Sequence, residues 1–147
     1  MCVAGRCLAG WREPREQFFV ERTRRCGTAQ EVTQIRKALD SGVLVVLFPE
    51  GTSSDGRRVL PFKSCLLEAA VLAGAPVAVA RIRYWIENGS AADDVCYWGD
   101  MVLVPHLLKL FRIEKIEAHV SFGLVESPAG DRKSLSKQLY AQVSALD

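Results

Sequence analysis

The sequence predicts an α/β fold, a mostly parallel sheet flanked by helices. Three observations carry that expectation. Strand-like and helix-like segments alternate along the chain in the order β, α, β, α, β, α, β, α. The segment Val43–Phe48 is valine-rich and apolar on both faces, as in a strand covered by helices on both sides. The chain has 147 residues, 49% of them hydrophobic, which is enough for one core.

The elements follow in order. Residues 1–16 show no usable period, because Gly5, Gly10 and Pro14 interrupt it. Gln17–Glu21, centred on Phe18, Phe19 and Val20, reads as a short strand, and Arg22-Thr23-Arg24-Arg25 as a basic loop. Thr28-Ala29-Gln30-Glu31 is a capping-box pattern, and Val32, Ile35 and Leu39 continue at helical spacing to a stop at Ser41-Gly42. After strand Val43–Phe48 comes a polar, turn-rich loop, Pro49 to Gly56. A helix is expected from about Phe62 to Ala73, stopped by Gly74, and a strand over Val77–Trp85 with Val77, Val79 and Arg81 on one face. Glu87–Asp94 reads as a loop. Leu103, Leu107, Leu108 and Phe111 form the stripe of a short apolar helix, which with Lys109 and Arg112 also suits a membrane surface. Ile116, Ala118, Val120 and Phe122 alternate with polar residues, the pattern of a half-buried strand near a sheet edge. Leu135, Leu139, Val143 and Leu146 mark a final amphipathic helix.

Composition excludes several function classes. Lys+Arg total 19 against 17 Asp+Glu, a net charge of +2, which does not suit a dedicated nucleic-acid binder. The longest apolar stretch, Val43–Pro49, is far short of the roughly 20 residues of a membrane-spanning helix. The five cysteines lack paired spacing and are expected to be reduced thiols, and His106 and His119 are too few for a histidine-rich metal site. His106 is expected to be structural, His119 to face solvent, and Trp85, Tyr97 and Trp98 to serve packing.

Ligands of open α/β sheets bind beyond the carboxyl ends of strands. The loop after Val43–Phe48 is therefore the first candidate site. Gly51 allows close backbone approach. The hydroxyls of Thr52, Ser53 and Ser54, with neighbouring N–H groups, suit a phosphate or another anion. Lys63 opens the next helix, where ammonium and helix dipole would act together. Glu50 suits a basic partner or a substrate hydroxyl. A plain polar turn would have the same composition.

Phe48-Pro49-Glu50-Gly51-Thr52-Ser53-Ser54 resembles the Phe-Pro-Glu-Gly-Thr-x-Ser block of glycerolipid acyltransferases, the 1-acylglycerol-3-phosphate acyltransferase (PlsC-like) group in particular. Pro61-Phe62-Lys63-Ser64 is similar to the stretch that follows this block. Phe19-Val20-Glu21-Arg22 resembles the end of the second block, whose arginine contacts the acceptor phosphate. Trp98-Gly99-Asp100-Met101 and Phe122-Gly123 fall where members carry similar residues. The resemblance runs from about residue 17 to the end. It implies a glycerol-3-phosphate acyltransferase-like fold, incomplete at its N-terminal side, with residues 1–16 as an atypical segment and 17–147 as the C-terminal portion of the domain.

The implied activity is transfer of a fatty acyl group from acyl-coenzyme A or acyl carrier protein, as co-substrate, to a lysophospholipid hydroxyl. The implied acceptor side is Arg22, Glu50, Gly51, Thr52 and Lys63. No further cofactor is implied, and the implied location is peripheral, on the cytoplasmic side of a membrane. The family's His-x-x-x-x-Asp block, which supplies the general base, is absent: Phe111 follows His106 at that spacing and Leu124 follows His119. Glu16 and Val79 stand where the family commonly has glycine and proline. The composition of residues 1–16 fits a chain whose upstream part was lost through a frameshift, a wrong start codon or gene fragmentation. The sequence thus leads to an acyltransferase domain inactive as it stands, or to a non-catalytic remnant that binds lipid or anion.

Overall fold

The computed structural model describes residues 2–4, 29–128 and 130–146. The strand expected at Gln17–Glu21, the basic cluster with Arg22, and the cap residue Thr28 lie outside the described residues.

The first described element is one that the sequence did not announce. Cys2–Ala4 forms β1, a strand of three residues. Helix α1 follows at Ala29–Asp40 and strand β2 at Val45–Leu47. A 3₁₀ turn, Ser64–Leu67, leads into α2 at Glu68–Ala73. Strand β3 spans Val77–Ile86. A π-type turn at Ala91–Val95 precedes α3, Leu103–Leu110. Strand β4, Ile116–Glu126, and helix α4, Arg132–Ala145, complete the order.

The helix ends follow from local chemistry. Gly42 takes φ 77°, and the N–H groups of Gly42 and Val43 return to the carbonyls of Leu39 and Ala38, closing α1 in a Schellman motif. Gly74 and Ala75 close α2 in the same way, with Gly74 at φ 58°. The Asp131 carboxylate accepts from the N–H groups of Lys133 and Ser134 at 2.6 and 3.0 Å and starts α4. Those two bonds, first that from Ser134, hold the Asp131 carboxyl below its ordinary range.

The described strands form one sheet in the order β2-β1-β3-β4, and every neighbouring pair is antiparallel. The mostly parallel sheet expected from the alternation is therefore not met. Both β2 and β3 run antiparallel to β1, so they run parallel to each other, as a strand–helix–strand crossover requires. They are not neighbours, because β1 occupies the position between them. Three residues of weak local pattern thus change the character of the sheet.

The core lies on one face. Val77 and Val79 of β3 pack with Leu67 and Ala70 and with Leu135, Leu139 and Val143 of α4. A second cluster joins Ile35 of α1, Val45 of β2 and Ala69 of α2. Arg81 and Arg83, on the same face, donate to the Leu146 carbonyl at 2.8 and 2.9 Å, tying the end of α4 to the sheet. Val46 points the opposite way from Val45 and is exposed, so the two-sided burial expected for this strand is absent among the described residues.

Strand β4 also corrects an expectation. Its apolar row, Ile116, Ala118, Val120 and Phe122, lies opposite Ile86, Tyr84, Ile82 and Ala80, on the face away from the helices. Phe122 is 70% exposed and Leu124 75%. A register shift between Ala78 and Ala80 accompanies this arrangement. Gly123 falls on the helix face, where a Cβ would collide with the Val79 side chain. Among the described strands β4 lies at the sheet edge, as expected.

Candidate functional site

The loop after β2 and the start of the 3₁₀ turn come together as one site. Phe48 leaves the sheet exposed, while Pro49 beside it is fully buried and anchors the turn. The Gly51 N–H donates to the Phe48 carbonyl at 3.0 Å, and the Lys63 N–H donates to the Pro49 carbonyl at 2.8 Å. The second bond joins Phe48–Gly51 to Pro61–Ser64 directly.

Gly51 is needed at its position. It takes φ 66°, a conformation costly for L side chains. The Lys63 side chain also lies across it: a Cβ there would stand 2.7 Å from the ammonium nitrogen and 3.0 Å from Cδ. The Lys63 ammonium is thus held over bare backbone. That arrangement suits an anionic group, which the ammonium would meet as a point charge. Lys63 precedes a 3₁₀ turn rather than the regular helix expected, because the helical geometry begins only at Glu68.

Glu50 is half-buried. Burial pushes its carboxyl above the ordinary value of 4.5, against the Leu60 backbone hydrogen bond and the nearby Arg81 charge, which pull it down. The folded protein therefore holds the Glu50 proton more tightly than the unfolded chain. Ionising the group costs stability, a cost absent below the ordinary value and complete above the raised one. Glu50→Gln is expected to gain thermal stability relative to the unmodified chain as pH rises from about 4 to about 7. Melting curves across that range check it, and a constant difference would contradict it.

Thr52 is exposed, its hydroxyl 3.4 Å from the Ser53 carbonyl. The Ser54 hydroxyl accepts from the Gly56 N–H at 3.3 Å, and Asp55 from the Arg57 N–H at 3.1 Å. Arg57 also reaches Asp93 at 3.6 Å, joining the loop to the π-type turn. The structure thus brings Gly51 and Lys63 together with Glu50 in the same turn, and leaves Thr52 at the rim. Arg22 lies outside the described residues.

Sequence reasoning missed the support behind this site. The Phe62 ring packs edge-on against Tyr140 of α4 with centroids 5.6 Å apart. Ser136 Oγ donates to the Phe62 carbonyl at 3.4 Å, and the Tyr140 hydroxyl to the Val59 carbonyl at 3.5 Å. These partners lie 74 and 81 positions apart in the chain, so no local pattern could reveal them.

Other readings divide. His106 is buried, its ring 5.3 Å from that of Tyr97, in the structural role expected. His119 is exposed beside Glu117. Trp98 Nε1 donates to the Ala92 carbonyl at 3.0 Å and the Tyr97 hydroxyl to the Met101 carbonyl at 2.8 Å, although both side chains are exposed rather than packed in the core. Trp85 is exposed, contrary to that expectation, because it lies near the open end of the β3–β4 ribbon. Cys65 is disulfide-bonded, which corrects the reading of five reduced thiols. Cys96 keeps a free thiol, pushed up by burial and then by the Asp55 charge. Among the described residues no group of three or more His, Cys, Asp or Glu side chains could hold a metal ion.

A family model described as acyltransferase matches residues 13–83, a span that contains Phe48–Ser54 and Lys63. The chain belongs to a glycerolipid acyltransferase family. It is 38% identical over 142 residues to a lyso-ornithine lipid O-acyltransferase of Brucella abortus, covering 87% of this chain and 53% of that protein. It is 36% identical to the protein of the same name from Rhizobium meliloti, over 82% of this chain and 45% of that one. A 1-acyl-sn-glycerol-3-phosphate acyltransferase of Neisseria meningitidis is 29% identical, over 87% of this chain and 51% of that protein. The chain thus spans about half the length of the curated relatives it matches. No solved structure matches it.

Proposed function

We propose that this chain carries the acceptor-binding side of an acyl-transfer site, with Lys63, Gly51, Glu50, Thr52 and Arg22 as its contributors. The observation that carries the reading is the Lys63 ammonium lying across the bare backbone of Gly51. In the reaction, a lysolipid hydroxyl attacks the carbonyl carbon of an acyl thioester, acyl-coenzyme A or acyl carrier protein. A C–O bond forms, the C–S bond breaks, and the hydroxyl proton passes through a general base to the departing thiolate. The sequence contains no His-x-x-x-x-Asp block to supply that base. Even with its proton affinity raised by burial, Glu50 is a weaker base for an alcohol than an imidazole held by a carboxylate. The chain alone therefore binds an acceptor without turning it over.

The acceptor is a lysolipid with an anionic group that Lys63 can meet. The family resemblance favours 1-acylglycerol-3-phosphate. The relatives at 38% and 36% identity favour a lyso-ornithine lipid, whose anionic group would be a carboxylate. Among the described residues no helix is long and apolar enough to cross a membrane. Access to such an acceptor calls for contact at the membrane surface, which we assign to the cytoplasmic side. A non-catalytic lipid-binding role is the second reading, favoured by the missing base.

Titration with short-chain, monomeric forms of both acceptors tests the site. Lys63→Ala is expected to weaken binding of the preferred acceptor roughly tenfold, the scale of one partly exposed charge-assisted hydrogen bond. No labelled acyl transfer is expected. Turnover that Glu50→Gln abolishes would overturn the reading that the chain alone does not catalyse transfer. Slow transfer restored by added imidazole and lost in Lys63→Ala would favour the enzyme reading over the binding one.

A further inference from the structure

We propose that α3 is a membrane-docking helix that seats the chain on an anionic bilayer surface, an inference that rests on the lysolipid reading above. The helix is held from its inner side. His106 is buried against Tyr97, and Lys109 Nζ lies 3.3 Å from Asp94 on the π-type turn. That attachment leaves the apolar stripe facing outward, the reverse of a core stripe. Leu103, Val104, Leu108 and Phe111 recur at helical spacing and are all exposed, Val104 by 65% and Phe111 by 80%. Val102, exposed by 68%, extends the patch at the helix start.

Charge identifies the occupant. From Val102 to Ile113 the chain contains no acidic residue, and with Lys109 paired to Asp94 on the inner side the charge left for headgroups is Arg112. Arg112 follows Leu108 by four positions, at the edge of the apolar stripe, where its stem can lie along hydrocarbon while its guanidinium meets headgroups. An apolar face with an arginine at its border suits a helix lying in the interface plane, attracted more strongly by anionic than by neutral lipid. The outer face of β3–β4, with Phe122 and Leu124, is also apolar and exposed, but no Lys or Arg of either strand shares that face, since Arg81 and Arg83 point to the helix side. This favours α3.

Flotation of the full chain with phosphatidylcholine vesicles, with and without phosphatidylglycerol, tests the proposal. The unmodified chain is expected to float with the anionic vesicles and less with the neutral ones. Phe111→Asp and Leu108→Asp should each cut binding roughly tenfold, the scale of withdrawing one large apolar side chain from lipid. Arg112→Glu should cut it several-fold on anionic vesicles only. Phe122→Asp should leave it unchanged. Phe111→Trp should keep binding and add blue-shifted indole emission on vesicle addition. Unchanged flotation in the α3 variants, or loss in Phe122→Asp alone, would overturn the proposal. Retained titration of the short-chain acceptor by the α3 variants shows that they are folded, and separates failure of docking from failure of the Lys63 site.

Discussion

Leu139→Ala is expected to remove about 2–5 kcal/mol of folding stability. Leu139 is fully buried on α4, packed in one cluster with Val77 and Val79 of the sheet and Leu67 beside α2. Truncation forfeits the transfer free energy of the lost carbons. It also leaves a cavity that the surrounding side chains, drawn from three elements, can only partly fill. Domains of this size hold only about 5–15 kcal/mol in total, so the loss is a large fraction of the whole. Urea unfolding should show a lower midpoint with an unchanged slope. Leu108→Ala is the comparison: Leu108 is exposed, so its truncation should change stability little. Equal effects at the two positions would contradict the core described above.

Gly51→Val is expected to abolish the acceptor site while leaving the fold in place. Two effects act together. A β-branched residue at φ 66° costs at least about 1–2 kcal/mol of local strain. The new side chain also takes the space across which Lys63 lies, 2.7 Å from its nitrogen. The lysine end is flexible, so it moves aside at small cost to stability. Its ammonium is then no longer held over the backbone, and binding should fall by at least the roughly tenfold expected of Lys63→Ala. Titration of the short-chain acceptor, set beside a melting curve, distinguishes this from unfolding. Unchanged affinity would show that the Gly51–Lys63 contact does not form the site.

Much of the local structure was legible in the chain. Apolar spacing and the glycines at 42 and 74 marked α1 and the end of α2, and the repeat Leu135, Leu139, Val143 marked the buried face of α4. These signals are local: a period and a stop decide each one. The turn from Phe48 to Ser54 was legible for a different reason. Proline, glycine and hydroxyl residues in that order serve a ligand more readily than a core, and the block resembles that of an acyltransferase family.

What the period could not say was which way an apolar stripe faces. The stripes of α3 and β4 have a spacing that serves a core or an exposed face equally, and both face outward. On β4, pairing with β3 set the direction: it put Gly123 against Val79 and turned Phe122 away. On α3, the buried His106 and the Lys109–Asp94 pair took the inner side. An outward apolar stripe is the feature that makes α3 a candidate surface for lipid.

The chain by itself therefore determined α1, α3, β3, β4 and α4, the site loop and the absence of a His-x-x-x-x-Asp block, because each rests on residues close together in sequence. Only the tertiary structure decided the sheet order, with β1 inserted between β2 and β3, and the placing of Lys63 across Gly51 with α4 behind Phe62. Those outcomes depend on hydrogen bonds and packing between segments tens of residues apart. Such contacts are chosen by the energy of the whole assembled core, which no local pattern encodes.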